Sequence, residues 1–120
     1  MMKLAFVFRA TPFSSSSSRE GLDALLAATA FCDETDIGVF FLDDGVFNLL
    51  NSQNPEKILQ KDIVSMLKLL DLYEIEQRYV CANSLETAQM TLQDCVISCE
   101  KIDRTVLVAL LNQAEKVLTF

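Results

Sequence analysis

Residues 3–8 read KLAFVF, a lysine followed by five apolar residues, two of which are aromatic. A strand that is apolar at every position, rather than at every second position, is typical of a parallel sheet that is covered on both faces. A second run of this kind, at residues 37–42, ends at the turn signal formed by Asp43, Asp44 and Gly45. These two runs predict strands of a buried parallel sheet.

Helix signals alternate with these strands along the chain. Ser17 and Glu20 have the spacing of a capping box, and leucines recur at helical spacing after them, which predicts a helix from residue 18 to about residue 32. The later elements are predicted to be a short helix at 45–50, a polar loop through Pro55, a helix at 58–72, a strand at 77–81, a short helix at 84–89, a strand at 95–99, a helix capped by Asp103 and a strand at 116–120.

Strands that alternate with helices imply right-handed crossovers and a parallel sheet with helices on both of its faces. A length of 120 residues suits one domain with a core of its own. We therefore predict a single α/β domain over residues 1–120, a three-layer sandwich with a mostly parallel sheet of about five strands. No internal repeat and no linker divides the sequence.

The composition limits the possible partners. The net charge is −7, and the 10 lysines and arginines are spread along the chain. Direct binding to a phosphate backbone needs a basic face, so we predict no direct contact with nucleic acid. No apolar stretch approaches the roughly 20 residues of a membrane-spanning helix, and the N-terminus lacks the features of a signal peptide. These patterns predict a cytoplasmic protein, and the 51% of hydrophobic residues suggests a surface buried against another subunit.

Histidine is absent, which excludes catalysis by a Ser-His-Asp or Cys-His pair. The four cysteines are Cys32, Cys81, Cys95 and Cys99. None of them forms a Cys-x-x-Cys pair, so we predict no metal site, and no motif predicts a bound cofactor. Cys95 and Cys99 alternate with Ile97 along one face of the predicted fourth strand, which favours buried structural thiols.

Ligands of open α/β sheets collect at the carboxyl ends of the strands, and three features are predicted there. The serines at residues 14–18 precede a helix N-terminus, which could bind a phosphate, but the loop lacks phosphate-loop glycines and also suits a solvated loop or a subunit contact. Asp43 and Asp44 could bind magnesium or act as a carboxylate pair, or simply form a solvated turn. The third feature is Cys81.

Cys81 ends the predicted third strand, two residues before Asn83. Asn83 and Glu86 have the spacing of a helix cap, and the free N–H groups of that helix would favour a thiolate at Cys81. Arg78 is close in sequence, but side-chain alternation along the strand need not point it at Cys81. A small residue buried at the end of a strand is the other interpretation, and the residues alone leave both open.

Four stretches carry a resemblance to a known family. They are LAFVFRATPFSSSSSREGLDALLAATAF at 4–31, VFFLDDGVFNLL at 39–50, LKLLDLYEIEQRYVCANSL at 67–85 and KVLTF at 116–120. These segments resemble the TusC/DsrF family of DsrE/F-like proteins over nearly the whole chain. The segment at 87–103 matches least.

The resemblance implies a role in sulfur relay. In the family, TusB, TusC and TusD subunits form a heterohexamer that accepts persulfide sulfur from TusA and passes it through TusE towards 2-thiouridine at the tRNA wobble position. The related DsrE, DsrF and DsrH proteins form a similar complex in dissimilatory sulfur oxidation, and the sequence does not separate the two roles. TusB-like and TusD-like subunits are thus the implied partners, with indirect contact to TusA-like and TusE-like carriers.

The resemblance also bears on Cys81, the only candidate catalytic residue. The carrier cysteine of the family belongs to the TusD or DsrE subunit, at a place related to Cys81, whereas the TusC type is a structural partner without an essential cysteine. The implied role is therefore a non-catalytic subunit of a sulfurtransferase complex, with Cys81 as a vestige of the carrier position. The alternative is a persulfide carrier that uses Cys81. Phe13, Phe47 and Tyr73 are the predicted subunit contacts.

Overall fold

The computed structural model describes residues 2–11, 16–50 and 58–120, and for residues 58–62 the backbone alone. The helices and strands are β1 (Leu4–Phe8), α1 (Ser17–Ala28), β2 (Ile37–Phe41), α2 (Ile58–Leu72), β3 (Gln77–Cys81), α3 (Ala82–Thr87), β4 (Glu100–Ile102), α4 (Arg104–Gln113) and β5 (Lys116–Thr119). Short 3₁₀ helices lie at Glu34–Asp36, Asp43–Leu49 and Leu92–Asp94.

The five strands form one parallel sheet in the order β4-β3-β2-β1-β5. β2 is the central strand, and all five of its residues are buried. The continuous apolar runs at β1 and β2 therefore reflect burial from both sides, as the sequence indicated. The predicted α/β class and the parallel five-stranded sheet are confirmed.

Helices cover both faces of the sheet and complete the three layers. Alternate side chains of β1 point to opposite faces, so Phe6 and Phe8 pack in a cluster with α1 and α2, whereas Ala5 and Val7 pack in a second cluster with α4. Phe8 stacks on Phe41 and on Phe120, with ring centroids 5.4 and 5.9 Å apart, and so ties the ends of three neighbouring strands together.

The turn after β2 packs against the end of β1. It was predicted as a helix at 45–50, but it is a 3₁₀ helix that begins earlier, at Asp43. Gly45 lies so close to the carbonyl oxygen of Phe8 that a Cβ atom at this position would overlap it. The glycine therefore permits the backbone of the turn to approach the end of β1.

The predicted fourth strand at 95–99 is wrong, because β4 lies directly after it at Glu100–Ile102. Residues 95–99 make one isolated antiparallel bridge, between Cys95 and Leu50, and otherwise run to the sheet without pairing. Ile97 is buried in the cluster of α1 and α2, and this burial reproduces the alternation of a strand. β4 itself presents charged residues, which suits a strand at the edge of a sheet.

The first helix also differs from its prediction. Its N-terminal cap is Ser16, whose side chain makes no capping bond and instead donates to the Glu20 carboxylate at 2.9 Å. The helix ends at Ala28 rather than near Cys32, because the chain turns there with bonds such as that from the Thr29 hydroxyl to the Leu26 carbonyl, at 2.5 Å. In the described parts of the chain, no helix has both the length and the apolar character to cross a membrane.

Two glycine substitutions test the close approach at the turn. Gly45→Ala should lower the free energy of unfolding by about 3 kcal/mol, because the new methyl group overlaps rigid backbone at Phe8. Gly38→Ala is the matched control. Its methyl group meets the flexible end of the Met2 side chain, and we expect a loss of about 1 kcal/mol or less. Urea unfolding measures both, and equal losses would contradict the packing described for Gly45.

Candidate functional site

The carboxyl ends of the parallel strands meet at one edge of the sheet, which we call the carboxyl edge. The polar or ionisable residues near the strand ends there include Arg9 after β1, Asp43 after β2, Cys81 at the end of β3 and Arg104 two residues after β4. Parallel pairing brings these residues from distant parts of the sequence to one place, which is where α/β proteins place their sites.

The Asp43 carboxylate is held between two arginines. Arg9 donates from Nε and Nη2 to Oδ2, at 2.9 and 2.8 Å, and Arg104 donates from Nη1 to Oδ1 at 2.8 Å. The hydrogen bond from Arg104, together with that from Arg9, lowers the pKa of Asp43 below its ordinary value of 3.8, although partial burial opposes this. Asp43 is therefore ionised at neutral pH and neutralises part of a doubly cationic cluster.

The backbone of Asp43 is also fixed. Its φ angle of 52° lies in the left-handed region, and its N–H donates to the Ser84 hydroxyl at 2.8 Å. Asp44 is exposed and pairs with neither arginine. The two neighbouring acids thus have different roles. Over the described residues, no group of three His, Cys, Asp or Glu side chains is arranged to hold a metal ion.

Cys81 is fully buried at the carboxyl edge. Its side chain is 0% exposed and lies in the cluster under α4, together with Ala5, Val7 and Phe40. The hydrogen bond to Asp43 is the main cause of the raised pKa of Arg104, and an interaction with the Cys81 thiol contributes to it. The guanidinium therefore interacts with both the carboxylate and the thiol.

The structure corrects the prediction that Asn83 caps the helix after β3. That helix, α3, begins directly at Ala82, so Cys81 is its N-terminal cap. Asn83 caps a different helix, because its Oδ1 accepts the N–H of Arg104 at 3.0 Å. Asp103, predicted to cap α4, makes no side-chain capping bond. Asn83 can reach the start of α4 because β3 and β4 are neighbouring strands whose carboxyl ends lie side by side.

A cavity of about 460 Å³ opens beside this cluster. Its lining includes Asp43, Asp44, Phe47, Ser84 and Arg104. Cys81 is fully buried and is not among the residues that line it. The cavity therefore offers polar and charged groups to a ligand, but no direct access to the sulfur.

The other sites predicted from the sequence do not reach this cluster. Arg78 faces the opposite side of the sheet and binds Asp71 and Ser98 there, so it does not contact Cys81. Burial, and then Asp94, raises the pKa of Cys95. Burial raises the pKa of Cys99 to about 12. Neither thiol is therefore a thiolate at neutral pH.

The serine loop provides structural contacts where the structure describes it. The Ser18 hydroxyl is buried and donates to the Ala10 carbonyl at 3.3 Å, and Ser16 bonds Glu20. Ser14 and Ser15 lie outside the described residues, as does Phe13, one of the predicted subunit contacts. Of the other two predicted contacts, Phe47 packs against the core and Tyr73 is 45% exposed.

Sequence reasoning missed both arginines of the cluster. Arg9 directly follows a predicted strand, and Arg104 follows the helix cap predicted after another. The rule that placed Asp43 and Cys81 at the carboxyl ends of strands applies equally to these two positions. A search for cations immediately after each strand would have found Arg9, but Arg104 lies too far after the predicted fourth strand to be found in this way.

The ion pairs of Asp43 predict a pH-dependent contribution to stability. Asp43→Asn should lower the free energy of unfolding by about 1 kcal/mol at pH 7, a modest value because all three side chains are partly exposed. The folded-state pKa is lowered, so the contribution is complete above about pH 4 and is lost as the pH falls through that pKa. Urea unfolding across this range should show the two proteins converging below about pH 4.

Asp44→Asn is the matched control for this measurement. It removes the same charge from the neighbouring position without breaking an ion pair to either arginine. Its free energy of unfolding should follow that of the unsubstituted protein across the same pH range. A pH-independent loss in Asp43→Asn would show that the ion pairs do not stabilise the fold.

Comparison with known proteins identifies the family. The model of the DsrE/DsrF-like family matches residues 2–120. A protein of Pasteurella multocida (strain Pm70) named Protein TusC homolog is 71% identical over 119 residues, which cover 99% of this chain and 100% of the relative. A Haemophilus influenzae protein of the same name is 56% identical, with the same coverage of both chains.

The crystal structure of the ychN protein from E. coli matches the whole of both chains with a TM-score of 0.80, and at 23% identity this likeness concerns the fold alone. The chain belongs to the DsrE/DsrF-like family.

Proposed function

We propose that this chain is a TusC-type subunit of a sulfur-relay complex that passes persulfide sulfur towards 2-thiouridine at the tRNA wobble position. The full-length relatives at 71% and 56% identity carry the name TusC homolog, which favours tRNA thiolation over the alternative role in dissimilatory sulfur oxidation. We further propose that it acts in the cytoplasm and is a structural subunit rather than a sulfur carrier.

The burial of Cys81 carries the proposal of a structural role. A sulfur carrier exchanges persulfide when its thiolate attacks the outer sulfur of a donor, so its sulfur atom must be reachable. Cys81 is 0% exposed and is packed among apolar side chains under α4. Of the other thiols, Cys95 and Cys99 have raised pKa values and are therefore poor nucleophiles.

The proposed partners are TusB-like and TusD-like subunits in a heterohexamer, with TusA-like and TusE-like carriers in indirect contact. Apolar residues on the surface support this proposal. Phe31 and Leu72 are 89% and 72% exposed, although large apolar side chains are usually buried. The solvent side of α4 includes Val106 and Val108 and carries no charge between residues 105 and 113. Helix surfaces that face water are normally charged, so these patches suit neighbouring subunits.

A second candidate function is a persulfide carrier that uses Cys81. The observation that favours it is the position of the thiol, at the carboxyl edge of the sheet and near enough to the Arg104 guanidinium to interact with it. An adjacent cation stabilises a thiolate. This function needs the side chains around Cys81 to move before a donor can reach the sulfur, because the residue is fully buried.

The proposed assembly predicts the behaviour of the chain on purification. Expressed with TusB-like and TusD-like partners, it should purify in a complex whose mass by native mass spectrometry equals two copies of each subunit. Expressed alone, it should self-associate or precipitate, because its apolar patches remain uncovered. A stable monomer that binds neither partner would refute the structural role.

Loading the complex with sulfur distinguishes a structural role of Cys81 from a carrier role. After incubation with a persulfide donor, mass spectrometry of the subunits should show an added sulfur on a partner and none on this chain. Cys81→Ser should retain relay activity within about twofold, because a buried cysteine and serine have similar volumes and the proposed carrier is elsewhere. Stoichiometric sulfur on Cys81, and loss of relay in Cys81→Ser with the complex intact, would establish the carrier role instead.

A further inference from the structure

Two guanidinium groups share a single carboxylate at the carboxyl edge. Arg9 and Arg104 come from opposite ends of the sequence, and each takes a different oxygen of Asp43 at 2.8 Å. Two positive charges and one negative charge leave this three-residue cluster with a net charge of +1. Such a cluster is unexpected in a chain whose net charge is −7.

Both guanidiniums can donate hydrogen bonds to a second acceptor, or to one that replaces Asp43. Their side chains are 55% and 47% exposed, so solutes can reach them, whereas Asp43 is 32% exposed. A guanidinium has more N–H donors than Arg104 uses on Asp43, and its planar fork matches the oxygens of carboxylates, sulfate and phosphate. The donors that converge on Asp43 are therefore those of an oxyanion site.

The space around Asp43 allows a ligand to enter. The cavity of about 460 Å³ lies on the Arg104 side, and a second cavity of about 380 Å³, lined by Arg9, Ala10 and Phe120 among others, lies on the Arg9 side. Asp43 and Asp44 line both. Asp43 is thus next to both cavities, within reach of a ligand in either.

We propose that Arg9 and Arg104 form a binding site for an oxyanion, and that the carboxylate of Asp43 is the internal occupant of this site in the free chain. An external oxyanion that takes both guanidiniums replaces Asp43.

The occupancy of the site has a consequence for Cys81. The Arg104 guanidinium interacts with the Cys81 thiol, and Asp43, whose own N–H donates to Ser84, fixes its position. An oxyanion that replaces Asp43 takes over the same donors and keeps Arg104 in this position. Without either acceptor, the Arg104 side chain loses its fixed partner, and a small thiol reagent reaches Cys81 more readily.

The binding experiment uses the purified full-length chain, without partner subunits or a sulfur donor. Sulfate is titrated at constant ionic strength, with chloride as the balancing ion, and binding is followed by calorimetry. Asp43→Asn vacates the site, so its affinity for sulfate should exceed that of the unsubstituted protein by about tenfold, the effect of losing one competing charged hydrogen-bond partner. Asp44→Asn removes a charge from the same cavities without vacating the guanidiniums, and should change the affinity by less than about threefold. Arg9→Gln with Arg104→Gln should abolish binding.

A second measurement follows the thiol beside the cluster. Alkylation of each cysteine by iodoacetamide is followed by peptide mass spectrometry. The internal reference is Cys32, which lines a separate cavity with Lys3 and Asp36. In chloride, Asp43→Asn should speed the labelling of Cys81 by about fivefold relative to the unsubstituted chain, and sulfate should slow it again by occupying the vacated guanidiniums. Labelling of Asp43→Asn that sulfate does not slow, or equal sulfate affinity in Asp43→Asn and Asp44→Asn, would overturn the proposal. Because neither readout involves sulfur relay, the proposed function can fail while this site is confirmed, and the reverse.

Discussion

The Asp43 carboxylate connects segments that are far apart in the sequence. Its oxygens accept bonds from Arg9, after β1, and Arg104, at the start of α4, while its own N–H reaches Ser84 in α3. The strand ends that these residues follow meet only because every strand of the sheet runs in the same direction. A single ionised side chain thus connects Arg9 and Arg104 at the carboxyl edge, beside the buried Cys81.

Cys81 occupies a position where this fold can place a reactive group, but in this chain the residue is buried. The end of a parallel strand followed directly by a helix is a common place for a reactive group. Here the thiol lies in the layer under α4, among apolar neighbours, and interacts with a guanidinium. Desolvation and lack of access oppose nucleophilic attack even where a cation is close. This conflict explains why burial, rather than the presence of the cysteine, supports a structural role in a sulfur-relay complex.

Much of the fold was predictable because burial on both faces demands unbroken apolar runs, and β1 and β2 have them. The prediction failed at residues 95–99, where Ile97 fills the core and the alternation of a strand appears without strand pairing. It also failed for the helix caps. Asn83 caps α4 across space rather than α3 next to it, and such exchanges depend on tertiary contacts that local spacing does not reveal.

The dependence on tertiary contacts also limited how much of the candidate site could be predicted. Asp43 and Cys81 followed from their positions at strand ends. Their arginine partners are 34 and 61 residues from Asp43 in sequence, and a pairing at that distance follows only from the strand order. The close approach at Gly45 was likewise invisible, because a glycine after two acids is typical of any turn.

The strand order makes α4 a link between the outer face of the sheet and the carboxyl edge. This helix connects β4 and β5, which are the two opposite edges of the sheet, and so it crosses the whole of one face. Arg104 is its first residue. A neighbouring molecule that moved α4 along its axis would therefore separate the Arg104 guanidinium from the Asp43 carboxylate. A contact on the outer side of this helix would thus change the surroundings of Cys81 on its inner side.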